Sequence, residues 1–131
     1  MTLLRHVALR DLRTQWPAVR AGLDEIQRRA PDDGWIAEDV YYALRSGTSS
    51  LWLIGEFGFL VATVLPGDDG RGILFVWLIH GDLFPVKQEL ERELETLARA
   101  LPVARIRFGS PRRWDAFGWG RLVGHIYEVT L

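Results

Sequence analysis

The sequence predicts a single α/β (more strictly α+β) domain over residues 1–131, with one mixed β-sheet and helices on both faces. Its 131 residues, 48% hydrophobic and 25% charged, have the length and balance of one folded domain. Apolar stripes of helical period alternate with short apolar runs, in the order β-α-α-β-β-β-α-β-α-β. A three-strand meander followed by a β-α-β crossover produces a mixed sheet.

The N-terminal third is predicted to contain one strand and two helices. Leu3–Leu9 is the strand, and a helix follows at about Thr14–Ala30, with Pro17 suited to its first turn. A shorter helix spans about Ile36–Arg45, and Gly47 is placed to end it in a left-handed conformation. The first helix presents apolar side chains at spacings of 3, 4 and 3 residues: Trp16, Val19, Leu23 and Ile26.

The middle of the chain predicts three consecutive strands. Leu51–Ile54 and Phe59–Leu65 are separated by Gly55–Gly58, a spacing typical of a hairpin. A longer turn, Pro66–Gly72, then leads to Ile73–Ile79. This last run contains no charged residue, which is typical of a central strand buried on both faces.

The C-terminal part predicts a long helix, Pro85–Leu101, then a strand at Val103–Phe108. Pro111–Phe117 can form a short helix, and Leu122–Leu131 a final strand. The acidic residues of the long helix are interpreted as a solvated face, with Lys87 and Arg92 as i,i+4 and i,i+3 partners. These residues are Glu89, Glu91, Glu93 and Glu95.

Composition excludes several classes of function. With no cysteine, the chain has no disulfide framework, no thiolate nucleophile and no cysteine zinc site. No apolar run approaches the ~20 residues that a membrane helix needs. The net charge of −1 does not favour nucleic acid or anionic lipid as a partner. The histidines are too far apart in sequence to indicate a metal site, and we expect a cytoplasmic protein.

Short motifs of the C-terminal half resemble a known family. Leu97–Arg107, then Pro111–Trp114, then Phe117–Trp119 are similar to the corresponding helix, turn, strand and Gly-aromatic pair of acyl-CoA N-acyltransferases (GNAT proteins). With the helix around Trp16 and the strand Leu51–Leu53, the chain looks most like small GNAT-like proteins of tailed phages and prophages. The resemblance implies acetyl-CoA or another acyl-CoA as cofactor, an amine acceptor, and a location in the bacterial host cell. It also implies that the fourth and fifth strands splay apart to admit the pantetheine arm.

The resemblance places the cofactor loop directly after the fourth strand. GNAT proteins carry Gln/Arg-x-x-Gly-x-Gly/Ala there, whereas this chain has a single glycine, and Pro85 removes a backbone donor. The carboxylate of Asp82 would face the phosphates, unless it turns outward. The alternative is that Asp82 caps a helix or lies in its first turn. The residues that the resemblance assigns to cofactor binding are His80, Gly81, Asp82, Leu83 and Trp114.

No catalytic acid or base is identified. The family places a glutamate on the central strands, but Ile73–Ile79 contains no acid, so His80 is the only nearby base near neutral pH. His80 is interpreted either as that base or as a surface or hydrogen-bonding residue. The position of the family's tyrosine acid, four residues before Gly118, is occupied by Trp114.

Two functional hypotheses remain open: an acyltransferase, and a non-catalytic phage or prophage protein that uses the fold for protein–protein interaction. A homodimer could form through an exposed edge strand. A group of arginines is interpreted either as a phosphate-binding patch, for CoA or RNA, or as solvated edges. These are Arg105, Arg107, Arg112, Arg113 and Arg121.

Overall fold

The computed structural model describes residues 2–109, 121–123 and 126–131. In this part of the chain, seven strands form one sheet in the order β1-β2-β3-β4-β5-β7-β6. Neighbouring strands are antiparallel except β4 and β5, which are parallel. The strands are β1 (Leu4–His6), β2 (Ser50–Ile54), β3 (Gly58–Pro66), β4 (Gly72–Gly81), β5 (Val103–Gly109), β6 (Arg121–Val123) and β7 (Ile126–Thr130).

This sheet, with helices on both faces, confirms the predicted fold class. Two boundaries differ from the prediction at the ends of the chain. The final strand, predicted as Leu122–Leu131, is two short antiparallel strands, β6 and β7. The first strand is shorter than Leu3–Leu9, because a 3₁₀ turn at Leu9–Asp11 follows it. The short helix predicted at Pro111–Phe117 lies outside the described residues.

Three α-helices are described: α1 (Leu12–Arg29), α2 (Ala37–Arg45) and α3 (Lys87–Arg99). The prediction that Pro17 lies in the first turn of α1 is wrong. The 3₁₀ turn leads directly into the helix, which therefore begins at Leu12 and places Pro17 in the second turn. None of the described helices is long and apolar enough to cross a membrane.

Helices α1 and α2 cover one face of the sheet. Helix α2 begins after Ile36, whose backbone N–H donates to Asp39 Oδ2 at 3.0 Å, and it ends before Gly47, whose φ of +80° confirms the predicted left-handed residue. The core between these helices and the sheet consists of apolar side chains from both layers: Val7, Leu12, Val19, Leu23, Trp35, Ala37, Val40, Leu44, Leu51, Phe59, Val61 and Leu78.

Helix α3 covers the opposite face. It begins at Lys87 and not at Pro85, which lies in a preceding 3₁₀ turn, Phe84–Val86. Its buried residues Leu90, Leu94 and Ala98 recur every four positions, so one stripe of the helix packs on the sheet. They pack with side chains from β1 to β5, including Leu4, Ile54, Leu60, Leu74, Val76 and Ile106.

The acidic face predicted for α3 is not uniformly solvated. The Glu93 carboxylate accepts hydrogen bonds from the backbone N–H groups of Leu3, at 2.7 Å, and Leu4, at 2.8 Å. Glu91 Oε1 lies 2.6 Å from Lys87 Nζ, and each of these two side chains is only 14% exposed. The predicted i,i+4 pair of Lys87 and Glu91 is therefore confirmed, although it is not a solvated one. For Glu93 the prediction is wrong, because α3 packs beside β1 and this carboxylate accepts hydrogen bonds from the backbone amides of Leu3 and Leu4.

We predict that Glu93→Gln destabilises the fold. The glutamine retains one acceptor oxygen but directs an NH₂ group towards the second backbone amide, so that one partly buried donor loses its partner. A loss of about 1–3 kcal/mol in the free energy of unfolding is expected, measured by urea denaturation. The matched control is Glu89→Gln, an exposed position of the same helix. Equal stabilities of the two variants would contradict the role of Glu93.

Candidate functional site

The most distinctive feature of the sheet is a fork between β4 and β5. The two strands pair from Gly72 opposite Val103 to Val76 opposite Phe108. β4 continues beyond Val76 to Gly81 and pairs with β3 on its other edge from Leu78 onward, whereas β5 ends at Gly109. Among the described residues, none from Trp77 to His80 pairs with β5. Residues 110–120, which follow β5, lie outside the described part of the chain, so the splay that the resemblance implies stays a prediction.

A β-bulge lies at the point where the strands part. Along the β3–β4 ladder, Leu78 is opposite Val61 and Val76 is opposite Ala62, which leaves Trp77 as an extra residue on β4. A bulge bends its strand and increases the local twist. Trp77 directly follows the last residue of β4 that pairs with β5, so the bulge lies where the β4–β5 ladder ends.

The bulge also changes which face of the sheet each side chain of β4 meets. Leu74 and Val76 contact the α3 side, as strict alternation requires. Trp77 and Leu78 then both contact the α1–α2 side. After the bulge, side chains again alternate between the two faces, but the pattern is shifted by one residue. His80 therefore faces α1, where it contacts Glu25.

His80 lies inside β4 and not in the loop after it. Its Nε2 is 3.1 Å from Glu25 Oε2, and its ring stacks on Phe59 with centroids 5.5 Å apart. The Nδ1 side of the ring faces Gly22 of α1, because a Cβ on Gly22 would lie 2.9 Å from that nitrogen. The ring is therefore held between strand and helix, which favours the interpretation of His80 as a hydrogen-bonding residue.

Glu25 has two basic partners. The predicted i,i+4 pair with Arg29 forms, with Arg29 Nη2 3.1 Å from Glu25 Oε1, while the other carboxylate oxygen meets His80. The hydrogen bond and the charge of His80 lower the pKa of Glu25 below its usual 4.5, and Arg29 and Arg28 act in the same direction. Sequence reasoning missed the contact between Glu25 and His80. Gly22, a glycine on the buried face of α1, was the one signal of a close approach.

Aromatic side chains line the α1–α2 side of the bulge. The Trp35 ring, from the segment between α1 and α2, lies edge-on to the Trp77 ring with centroids 6.4 Å apart. Gln27 Nε2 donates a hydrogen bond to the Trp35 backbone carbonyl, which fixes this segment against α1. Trp35 is buried, so these contacts hold the bulge from one face.

The segment after β4 is shorter than predicted, because β4 extends to Gly81. Gly81 has a φ of +134°, and a Cβ there would overlap the carbonyl oxygen of Phe57 in the β2–β3 turn, so glycine is required for packing. Asp82 is exposed, and its interpretation as a helix cap is wrong because Val86 occupies the N-cap position of α3. The whole of Leu83, main chain and side chain, is 3% exposed and belongs to the core beneath α3. This burial counts against a direct contact between Leu83 and a cofactor.

The N-terminus of α3 lies directly after this segment. Its N-cap, Val86, makes no side-chain cap hydrogen bond. First-turn amides without a side-chain acceptor can hold an anion. Glu89 in the same turn opposes an anion, and Lys87 is already paired with Glu91. Trp114, the fifth residue assigned to cofactor binding, lies outside the described residues.

The arginines of β5 are engaged within the protein. Arg107 Nε lies 2.8 Å from Glu128 Oε1, and Arg105 Nη2 lies 3.9 Å from Asp69 Oδ2. Glu128 is 8% exposed, whereas the Arg107 side chain is 36% exposed, so the first of these pairs is partly buried. These pairs count against the phosphate-patch interpretation for Arg105 and Arg107. The other three arginine side chains, at positions 112, 113 and 121, are not described.

The histidines do not converge in the described part of the chain. His6 packs against Trp52, a residue of the α3-side core, with ring centroids 4.9 Å apart, while His80 meets Glu25 on the α1 side of the sheet. Among the residues that the structure describes, no group of three histidine or acidic side chains is placed to hold a metal ion. His125 is not one of these residues.

Several solved structures share this arrangement of strands and helices. A protein described as a probable acetyltransferase superimposes with a TM-score of 0.66 at 12% identity, over 92% of this chain and 91% of its own. A ribosomal-protein-alanine N-acetyltransferase from Brucella melitensis biovar Abortus gives 0.61 at 18% identity, over 92% and 96%. A chain of the NatC complex bound to Gag peptide and CoA gives 0.64 at 12% identity, over 100% and 99%.

These likenesses show that the chain has the acyl-CoA N-acyltransferase (GNAT) fold, as the sequence predicts. No protein-family model matches the sequence, and no curated protein matches it. At identities below 20%, the likeness concerns the fold and not the activity.

We predict that Gly22→Ala destabilises the protein, although alanine is the better helix former by about 1 kcal/mol. The added Cβ would lie 2.5 Å from Phe59 Cε1 and 2.9 Å from His80 Nδ1, so α1 would have to move away from β4. A loss of about 1–3 kcal/mol in the free energy of unfolding is expected from this overpacking, measured by urea denaturation.

The control for this prediction is Ala21→Gly at the adjacent exposed position of α1. It reports the helix-propensity effect alone, a loss of about 1 kcal/mol. A gain of stability in Gly22→Ala would contradict the close contact between α1 and β4.

Proposed function

We propose that this protein binds an acyl-CoA at the fork between β4 and β5 and transfers its acyl group to an amine. The observation that carries the proposal is the edge of β4 from Trp77 to His80, which pairs with no other strand on the β5 side among the described residues. The structural neighbours support it, because their fold is that of acetyltransferases and one of them, NatC, is bound to CoA.

The open edge of β4 suits an extended chain that carries amide groups. Successive residues of a strand direct their N–H and C=O groups to opposite neighbours, and β3 occupies one side of the residues from Leu78 to His80. The remaining donors and acceptors resemble those of an edge strand that receives an added strand. The pantetheine arm of CoA contains two amides and would satisfy these groups.

The phosphates of the cofactor would lie at the N-terminus of α3. The N-cap side chain forms no hydrogen bond with the main-chain amides of the first turn. The positive end of the helix dipole also favours a negative ligand there. Asp82, Leu83 and the 3₁₀ turn Phe84–Val86 connect this helix end to the fork. The main chain of His80 belongs to this edge and Gly81 follows it directly, so the proposed cofactor would lie beside both residues.

Acyl-CoA would supply an activated thioester, so that the amine nitrogen forms the new bond and the CoA sulfur leaves. The chain's own part in this proposal is to bind and align the reactants. The Glu25 carboxylate and the Gly22 backbone enclose the ring nitrogens of His80. The proposal therefore leaves removal of the amine proton to solvent.

A second candidate is a non-catalytic protein of phage or prophage origin that uses the same fold for protein–protein interaction. The observation that favours it is the charge around the α3 N-terminus. Asp82 is exposed there, Glu89 lies in the first turn, and Pro85 contributes no N–H. Each of these features weakens a phosphate site.

The two candidates predict different effects of Asp82→Asn on acetyl-CoA binding, measured by thermal shift and isothermal calorimetry. If the phosphates lie at the α3 N-terminus, removal of the neighbouring negative charge should tighten binding by about two- to fivefold. The control is Asp68→Asn, which removes the same charge from an exposed position before the opposite end of β4. Its affinity should equal that of the unmodified protein.

Two results would contradict the proposal. The first is the absence of any acetyl-CoA-dependent increase in melting temperature at millimolar concentration, since a ligand at 100 times its dissociation constant adds about 2.7 kcal/mol. The second is an equal change in affinity in both variants, because it would place the phosphates elsewhere. If acetyl-CoA binds, release of free CoA thiol in the presence of primary amines tests the transfer itself.

A further inference from the structure

A second concave surface lies between α1 and α2, and none of its residues belongs to the fork. We call it the helix groove. It has a volume of about 440 Å³. Each helix contributes residues spaced i, i+3, i+4 and i+7, which is one face of a helix. They are Arg13, Trp16, Pro17 and Arg20 of α1, and Glu38, Tyr41, Tyr42 and Arg45 of α2.

The contacts across the helix groove show that the two helices run antiparallel. At one end, Arg20 Nη1 lies 2.9 Å from Glu38 Oε1. In the middle, the rings of Trp16 and Tyr41 meet edge-to-face with centroids 4.8 Å apart. The other end therefore contains the first residue of the α1 set and the last of the α2 set. Those residues are Arg13 and Arg45.

A neighbouring cavity confirms this placement. Arg45 also lines a concavity together with Leu9 and Leu12, which immediately precede Arg13 in the chain. The two arginines thus lie on opposite walls of the same end of the helix groove, and both are exposed.

The charges in the helix groove are unevenly distributed. The negative charge of Glu38 offsets the positive charge of Arg20. The pKa of Glu38 is lowered by a hydrogen bond from its own backbone N–H and by the hydrogen bond from Arg20. Arg13 and Arg45 have no acidic partner among the residues that line the groove. The closest acid in sequence, Asp11, has its carboxylate 3.9 Å from Arg10. One end of the groove therefore carries two positive charges in excess.

Helix stability does not account for Arg13. It lies in the first turn of α1, where the helix dipole disfavours a positive charge, and no acidic residue occupies that turn. Two guanidinium groups on facing walls also repel each other. A carboxylate between them would remove both penalties and could accept charge-assisted hydrogen bonds from both.

The middle of the helix groove is aromatic and open to solvent. Trp16 and Tyr41 pack partly into the core below, whereas Tyr42 is 74% exposed. Tryptophan, tyrosine and arginine are the side chains that contribute most to protein interfaces, where a partner shields them from water. A groove this open covers one side of a peptide chain and does not enclose a small molecule.

We propose that the helix groove binds an acidic peptide segment of a partner protein. An aspartate or glutamate carboxylate of the peptide lies between Arg13 and Arg45, and an adjacent apolar side chain packs against Trp16 and Tyr42. This site is independent of acyl-CoA binding at the fork.

The test uses a fluorescein-labelled octapeptide of alternating glutamate and leucine, with fluorescence anisotropy as the readout. The Arg13→Gln/Arg45→Gln variant should bind this peptide at least about tenfold more weakly than the unmodified protein. The matched control, Arg28→Gln/Arg99→Gln, removes two exposed arginines outside the groove and should stay within twofold. The unmodified protein should bind an octapeptide of alternating glutamine and leucine no more tightly than the Arg13→Gln/Arg45→Gln variant binds the glutamate peptide.

A second variant and a stability measurement separate binding from folding. Tyr42→Ala changes an exposed side chain, so it should retain the melting temperature and weaken the peptide by about three- to tenfold. The melting temperature of the double arginine variant should be unchanged or higher, because it removes facing like charges. A clear decrease would mean that these arginines stabilise the fold, and would overturn their assignment to a ligand.

Three binding results would overturn the proposal. Equal weakening in both double variants would mean that the peptide responds only to overall charge. Unchanged binding in Arg13→Gln/Arg45→Gln would place the peptide elsewhere. Competition by phenylacetate at the peptide's own affinity would identify a small-molecule site in place of a protein-binding one.

Discussion

The β-bulge at Trp77 is the constraint on which the candidate site depends. One extra residue in β4 separates the half that pairs with β5 from the half that does not. The same residue reverses the alternation of side chains, so that His80 faces α1 and reaches Glu25. Without the bulge, strict alternation along β4 would direct His80 towards α3.

Three glycines allow the β2–β3 hairpin and α1 to pack closely against the second half of β4. A Cβ on Gly58 would overlap the carbonyl oxygen of His80, and one on Gly81 would overlap that of Phe57, so the β2–β3 hairpin lies tightly against β4. Gly22 lets α1 approach the same strand from the face. These contacts occupy the β3 edge and the α1 face of this part of β4. The proposed ligand lies on the β5 side, where no described strand pairs with Trp77–His80.

Much of the fold could be predicted from the sequence, because its signals are local. The glycines around Gly55–Gly58 define a hairpin, Gly47 ends α2, and the uncharged run Ile73–Ile79 lies in a buried central strand. The bulge has no local signal, since Val76, Trp77 and Leu78 are all apolar and suit either face of a buried strand. Its position is determined by pairing with two neighbouring strands.

The site was predicted less well than the fold, for related reasons. His80 and Gly81 follow the apolar run of β4 and resemble a loop, but pairing with Phe59 and Gly58 extends the strand over both. The role of Glu93 depends on β1, which lies about ninety residues away in sequence. No periodicity along α3 distinguishes this carboxylate from its solvated neighbours.

Residue-resolved hydrogen exchange along β4, without ligand, tests the open fork most directly. The account predicts strong and uniform protection of the amides from Ile73 to Val76, which lie between two strands. Between Trp77 and His80, the amides that do not bond to β3 should exchange at least about a hundredfold faster than their neighbours. Uniform protection from Ile73 to His80 would contradict the account, because it would mean that the β5 side of the strand is filled and no acyl-CoA can pair there.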